Sequence, residues 1–168
     1  AGHTLGLAHQ SKYDAGCALT ATYNDGSGTG ETGWAPIMGN SYYRNMSGWN
    51  NGPTPQGCSN LQDNLSIITT RNGFGFRADD FSNDAGSGAF QLPLSNLQLQ
   101  GIIGTPGDRD AFRFSLQQNS NVHLEAVPFH IGGSLEGAGL DIALQLFNDR
   151  QELMGTFNPA EQLSALLD

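Results

Sequence analysis

A chain of 168 residues has room for one ordinary domain or two small ones. Its composition, 38% hydrophobic and 14% charged with 23 glycines, supplies a core but points to strands and turns, and it excludes an all-helical fold. With 16 acidic residues against 7 basic ones, a formal charge of -9 and Lys12 as the sole lysine, no basic patch exists, which excludes nucleic acid and anionic membrane surfaces as partners.

In chain order, Ala1 to Ala8 reads as a short helix that ends at Gly6, where glycine can take the left-handed conformation. A long loop follows from Gln10 to Gly33, rich in Gly, Thr, Asn and Asp, a length that usually marks a functional segment. Within it, Gly28 to Gly33 matches G-x-G-x-x-G, but no strand precedes it and Trp34-Ala35-Pro36 stands where a phosphate-cradling helix would start. Nucleotide binding is therefore rejected. Cys17 and Cys58, the two cysteines, both lie in loop-like stretches and are expected to form one disulfide.

Ser59-Asn60-Leu61-Gln62 has the spacing of a capping box, and Leu61, Leu65 and Ile68 continue with helical period. An amphipathic helix is expected to run to about Thr70 and to end before Gly73. Asp79 to Gly88 is polar and lacks an apolar period, as a linker does. Beyond it the period falls to two, through Phe112, Phe114 and Leu116, then Val122, Leu124 and Ala126, then Leu140, Ile142, Leu144 and Leu146. Turn residues at 104–108, 118–121 and 148–150 separate these half-buried strands, so an antiparallel β-sandwich, jelly-roll-like, is expected. No stretch approaches the ~20 apolar residues of a membrane span. The chain opens inside a predicted helix and closes at Leu166-Leu167-Asp168 within an apolar run, so both ends read as truncated.

His3 and His9 stand six apart with Gly6 between them, in the run Ala-Gly-His-Thr-Leu-Gly-Leu-Ala-His. This resembles the second half of H-E-x-x-H-x-x-G-x-x-H, the zinc-binding sequence of the metzincin metallopeptidases. The spacing has a physical basis, because a glycine that breaks the helix lets a further histidine swing toward a metal held by the helix face. Trp34-Ala35-Pro36-Ile37-Met38-Gly39 resembles the metzincin Met-turn, in which a methionine forms an apolar floor beneath the ligands. TGWAPIMGNSYY (Thr32 to Tyr43) and GFGFRADD (Gly73 to Asp80) are similar to a reprolysin-like bacterial group. Residues 107–114 and Leu140-Asp141-Ile142 resemble the pre-peptidase carboxy-terminal sandwich that follows such catalytic units.

The resemblance implies an α+β arrangement, with the end of a peptidase domain over 1–80, a linker over 81–96 and a truncated sandwich over 97–168. It implies a secreted zinc endopeptidase acting on protein or peptide substrates, with His3 and His9 as ligands, Gly6 as hinge and Met38 as floor. The first ligand histidine and the general-base glutamate would stand immediately before Ala1, so this stretch alone is expected to be inactive. Some metzincins place a tyrosine two residues after the Met-turn methionine. Here that position is Asn40, and Tyr42 and Tyr43 read instead as walls of a substrate cleft. His123 and His130 read as surface or strand-face residues, and Asp108 and Asp110 as a solvated turn in preference to a structural Ca2+ site. Asn45 and Asn64 lie in N-x-S sequons. The competing reading is a non-catalytic extracellular binding or adhesion protein with a degenerate peptidase-like region. Cleavage specificity and oligomeric state are not legible.

Overall fold

The computed structural model describes residues 2–93, 97–133 and 137–168. The chain is a β-rich α+β protein, with short strands paired two by two and a single α-helix among the described residues. No helix among them is long and apolar enough to cross a membrane.

The first residues form a 3-10 turn, Gly2–Leu5. Gly6, at φ +80, ends it. The Gly6 N–H donates to the His3 carbonyl at 3.0 Å and the Leu7 N–H to the Gly2 carbonyl at 3.2 Å, the paired closure of a Schellman cap. Strands β1 (Lys12–Tyr13) and β2 (Leu19–Ala21) make a small antiparallel hairpin. Its turn is held by Asp14 Oδ1, which accepts from the Gly16 and Ala18 N–H groups at 2.9 Å each. Strand β3 (Trp34–Pro36) runs parallel to β4 (Met46–Gly48), and β5 (Asn51–Thr54) pairs antiparallel with β6 (Gly57–Asp63). A Cys17–Cys58 disulfide and a Tyr13 hydroxyl donating to the Thr54 carbonyl at 2.8 Å fasten the first hairpin to β5 and β6.

The helix expected from Ser59 begins later. Helix α1 spans Asn64–Arg71, and its N-cap is Asp63, whose carboxylate accepts from the Ser66 N–H at 3.0 Å. Ser59 to Gln62 lies in β6 instead, with Leu61 60% exposed and outside the helical stripe. The cause is long-range pairing: β6 is hydrogen-bonded to β5, and the Gln62 side chain is taken by Ala8. The helix does stop before Gly73, which sits at φ +73. Neither sequon amide faces solvent freely: the Asn45 amide donates to the Glu31 carbonyl, and Asn64 is fully buried, its Oδ1 accepting from the Asn50 N–H while its Nδ2 has no partner among the described residues.

In the second half, β7 (Phe90–Gln91) runs parallel to β8 (Phe112–Arg113). The stretch expected as a plain linker is folded at two points. Asp84 accepts from the Gly86 and Gly88 N–H groups at 2.8 and 2.9 Å, which holds its carboxyl below the ordinary aspartate range. Phe81 packs its ring against Phe90 and Phe112 at 5.3 and 4.9 Å between centroids. Strand β9 (Leu124–Ala126) pairs antiparallel with β12 (Ala165–Leu167), and β10 (Leu144–Phe147) forms a hairpin with β11 (Leu153–Phe157) around Asn148. Burial alternates along β9, β10 and β12, as the period of two requires. The continuous antiparallel sandwich sheets expected here are not formed among the described residues: pairing stays two-stranded, and β7–β8 is parallel. Leu116 and Leu140 lie outside any strand and are exposed, because the predicted apolar runs pair over only part of their length.

The buried apolar cluster joins the halves: Met46, with Trp34 against it, meets Ala138 and the fully buried Leu163. The Leu163 N–H donates to Glu31 Oε1 at 2.8 Å and the Thr32 hydroxyl to the Ala160 carbonyl at 3.2 Å.

With so small an apolar core, the disulfide carries much of the stability. Its partners are 41 residues apart, which corresponds to about 4 kcal/mol of loop-closure entropy removed from the unfolded chain. Replacing both cysteines by serine is expected to lower the urea-derived unfolding free energy by about that amount, and an unchanged midpoint would show the bridge to be dispensable.

Candidate metal centre

His3 projects from the 3-10 turn with its Nδ1 2.8 Å from the Leu7 carbonyl oxygen. A carbonyl only accepts, so Nδ1 carries the proton and the neutral ring turns a lone pair outward at Nε2. That Nε2 lies 3.1 Å from Nε2 of His9, with ring centroids 4.5 Å apart and planes at 77°. Two imidazole nitrogens, each about 2.05 Å from one tetrahedral zinc ion, would stand roughly 3.3 Å apart. The pair is spaced for one shared cation or one shared proton, and His3, being exposed, leaves the point open to solvent.

Gly6 makes the convergence possible, because its left-handed turn reverses the chain so that His9 comes back beside His3. The turn after β3 is closed by the Gly39 N–H donating to the Pro36 carbonyl at 2.9 Å. Met38, 4% exposed, lies so close to Gly2 that a Cβ there would overlap its sulfur. The Met38 carbonyl accepts from the Gln10 N–H at 2.8 Å. Met38 is thus tied to the chain neighbours of both histidines, and Gly2 is glycine because sulfur occupies the space of a side chain.

Tyr23, which the sequence reading did not single out, sets its ring edge-on to His9 at 4.7 Å. The only signal for it was its place in the long loop from Gln10 to Gly33, whose length marks a functional segment. Tyr42 and Tyr43 are 91% and 88% exposed, and neither side chain bonds or stacks with the histidines. Asn40 is held by its N–H on the Asn24 carbonyl at 2.8 Å. His123 pairs with Asp168, and His130 donates from Nδ1 to the Gly132 carbonyl, so neither joins the His3–His9 pair.

The donor type and spacing of these two nitrogens would suit one shared cation such as zinc. The one grouping of three candidate ligand side chains among the described residues lies elsewhere: Asp79, Asp80 and Asp110. Asp108, read together with Asp110 as part of a turn, accepts from the Gly104 N–H within that turn. Burial, then the charges of Asp80, Asp108 and Asp79, push the Asp110 carboxyl up to about 6.

Two outcomes follow. The space around Gly6 is open, so Gly6→Ala meets no clash and is penalised by its backbone alone. A loss of about 1–2 kcal/mol in unfolding free energy is expected, with a smaller loss for Gly6→Asn; equal stability of all three would contradict the cap. Asp110 holds its proton in the fold to about pH 6 but ordinarily only to 3.8. Its contribution to stability is therefore full below pH 3.8 and is lost as pH rises toward 6. Asp110→Asn is expected to flatten that part of the Tm-against-pH profile, and an unaltered slope would count against the clustering. Comparison of the chain with protein-family models, with curated proteins and with solved structures finds no match.

Proposed function

We propose that this chain belongs to a secreted zinc metalloendopeptidase that hydrolyses peptide bonds in protein or peptide substrates. The observation that carries the proposal is the approach of His3 and His9 through Nε2 to 3.1 Å, with the buried Met38 packed against Gly2 in the same turn as His3. The likeness of the His-x-x-Gly-x-x-His run and the Ile37-Met38 turn to the metzincin pattern adds to it. In this reading residues 1–80 are part of a metzincin catalytic domain, 81–96 connect it, and 97–168 supply a β-rich accessory module that aids secretion, attachment or substrate adhesion. The Cys17–Cys58 disulfide is in keeping with an oxidising, extracellular setting.

Bound zinc supplies Lewis-acid activation of water and polarisation of the scissile carbonyl. The chain's own residues prepare for it. His3 is held in the ligating tautomer by Leu7, and its ring cannot turn without breaking that bond. The Met38 side chain closes the underside near Gly2 to water. Tyr23 limits rotation of the His9 ring from one side. The proton acceptor for the attacking water and the remaining ligand are assigned to Glu and His immediately preceding Ala1.

The test uses the protein extended upstream of Ala1. His-Glu is expected at the two preceding positions, together with cleavage of an unfolded protein substrate that stops on chelation and returns with Zn2+. His9→Ala is expected to abolish that cleavage while leaving the disulfide and the far-ultraviolet dichroism intact. Any other pair before Ala1, or cleavage that survives His9→Ala, overturns the proposal in favour of a non-catalytic binding protein.

A further inference from the structure

The two histidines are oriented by different means. His3 has the ring hydrogen bond that normally fixes a metal-ligating imidazole, from Nδ1 to a carbonyl. His9 has none, since its Nδ1 is buried without a hydrogen-bond partner among the described residues, and its ring is touched edge-on by His3 and Tyr23. Edge contacts are worth only about 0.5–1.5 kcal/mol and do not set where the His9 main chain lies. The position of His9 must then be fixed through its main chain.

Both chain neighbours of His9 are fastened to one residue of β6. Gln62 Oε1 accepts from the Ala8 N–H at 2.8 Å, and Gln62 Nε2 donates to the Ala8 carbonyl at 3.0 Å. On the other side of His9, the Gln10 side-chain amide donates to the main-chain carbonyl of Gln62 at 3.0 Å. Gln62 is 8% exposed, so water competes little for these bonds. It is paired with Gly52 across the β5–β6 hairpin, and the strand is fixed again at Cys58 by the disulfide.

We propose that Gln62 is a positioning residue for the metal site, its amide clasping Ala8 from both sides and so setting where His9 presents Nε2. The inference rests on the zinc reading. A primary amide is needed because it both donates and accepts. Glutamate would keep the bond from the Ala8 N–H but set a carboxylate oxygen against the Ala8 carbonyl. Methionine keeps the length of the side chain and removes both bonds. Asparagine keeps both groups but is one methylene short. Gln62 touches neither metal nor substrate; it acts through His9.

The test titrates the protein extended upstream of Ala1, which carries the remaining ligand, with Co2+ and follows visible absorption, comparing wild type with His9→Ala, Gln62→Met and Gln62→Glu. The imidazole resonances of His3 and His9 are recorded by 15N NMR without metal. The wild type is expected to develop the Co2+ band and His9→Ala to lose it. Gln62→Met is expected to weaken Co2+ binding about tenfold, the low end of losses seen when outer partners of ligands are removed, with Gln62→Glu in between. In both Gln62 variants the His9 resonances are expected to shift while that of His3 Nδ1, held on the Leu7 carbonyl, stays in place.

Wild-type affinity in Gln62→Met, alongside loss in His9→Ala, overturns the positioning role and leaves the zinc reading standing. A Co2+ band that is absent from the wild type, or indifferent to His9→Ala, overturns the zinc reading itself. Should Gln62→Met fail to fold, the less disruptive Gln62→Glu and the metal-free spectra decide: His3 Nδ1 and His9 moving together overturn the inference, and His9 moving with His3 Nδ1 in place supports it.

Discussion

Gln10 is fully buried, and its side-chain amide finds its partners through Nε2, Oε1 having none among the described residues. Its Nε2 donates to the carbonyls of Asn50 and Gln62 at 3.1 and 3.0 Å, its N–H to Met38 and its carbonyl accepts from Asn24. One residue therefore joins the hairpin of β5 and β6, the methionine turn and the loop after Tyr23. The neighbouring buried positions Ser11, Thr54, Gln62 and Asn64 are polar as well. Where most domains of this size rely on an apolar interior, this half is organised by side-chain amides and hydroxyls that bond to main chain. Such a network tolerates little displacement, because leaving one buried group unsatisfied costs about 1–3 kcal/mol. It also specifies geometry in a way that apolar contact does not, which suits a segment that must deliver two imidazole nitrogens to one point.

The delivery itself depends on the order of events along ten residues. A turn carries His3, a left-handed glycine reverses the chain, and Gln10 locks the outgoing strand to the methionine turn. Helix α1 closes the arrangement from behind: Asn72, at its end, donates from Nδ2 to the Leu5 carbonyl at 3.0 Å. Each contact is a hydrogen bond between named partners, and none depends on a large buried surface.

Features set by local stereochemistry were legible from the sequence. Gly6 ends its turn in the left-handed region because no β-carbon opposes it, and the apolar period of two survives as alternating burial in β9, β10 and β12. Cys17 and Cys58 are bridged, with Cα atoms 5.5 Å apart. What failed was decided at long range. Ser59 to Gln62 has a pattern that a helix cap and a strand satisfy equally well, and pairing with β5 chose the strand. Gln62 was read as one half of a cap when its amide serves Ala8, 54 residues away. Asp79 and Asp80 looked like linker because nothing in their spacing announces Asp110. Tyr23 carried no local signature, since an aromatic residue in a loop acquires meaning only from what folds against it.

The contact between the halves bears on how the long loop is held. Residues 30–32 form a 3-10 turn on the loop that leads into β3 and the methionine turn. Its Glu31 carboxylate accepts the Leu163 N–H, and a hydrogen bond to a charged acceptor is stronger than a neutral one. Leu163 in turn buries its side chain beside Met46 and Trp34, and its carbonyl accepts from the Ile142 N–H at 3.0 Å. The second half is thereby coupled to the strand that precedes Met38 through one shared core and one carboxylate. If it acts as an accessory module, it does so while bracing this strand, and removing it would expose Trp34 and Met46 and free the Glu31 turn. Stability and site geometry in the first half are, on this account, partly properties of the second.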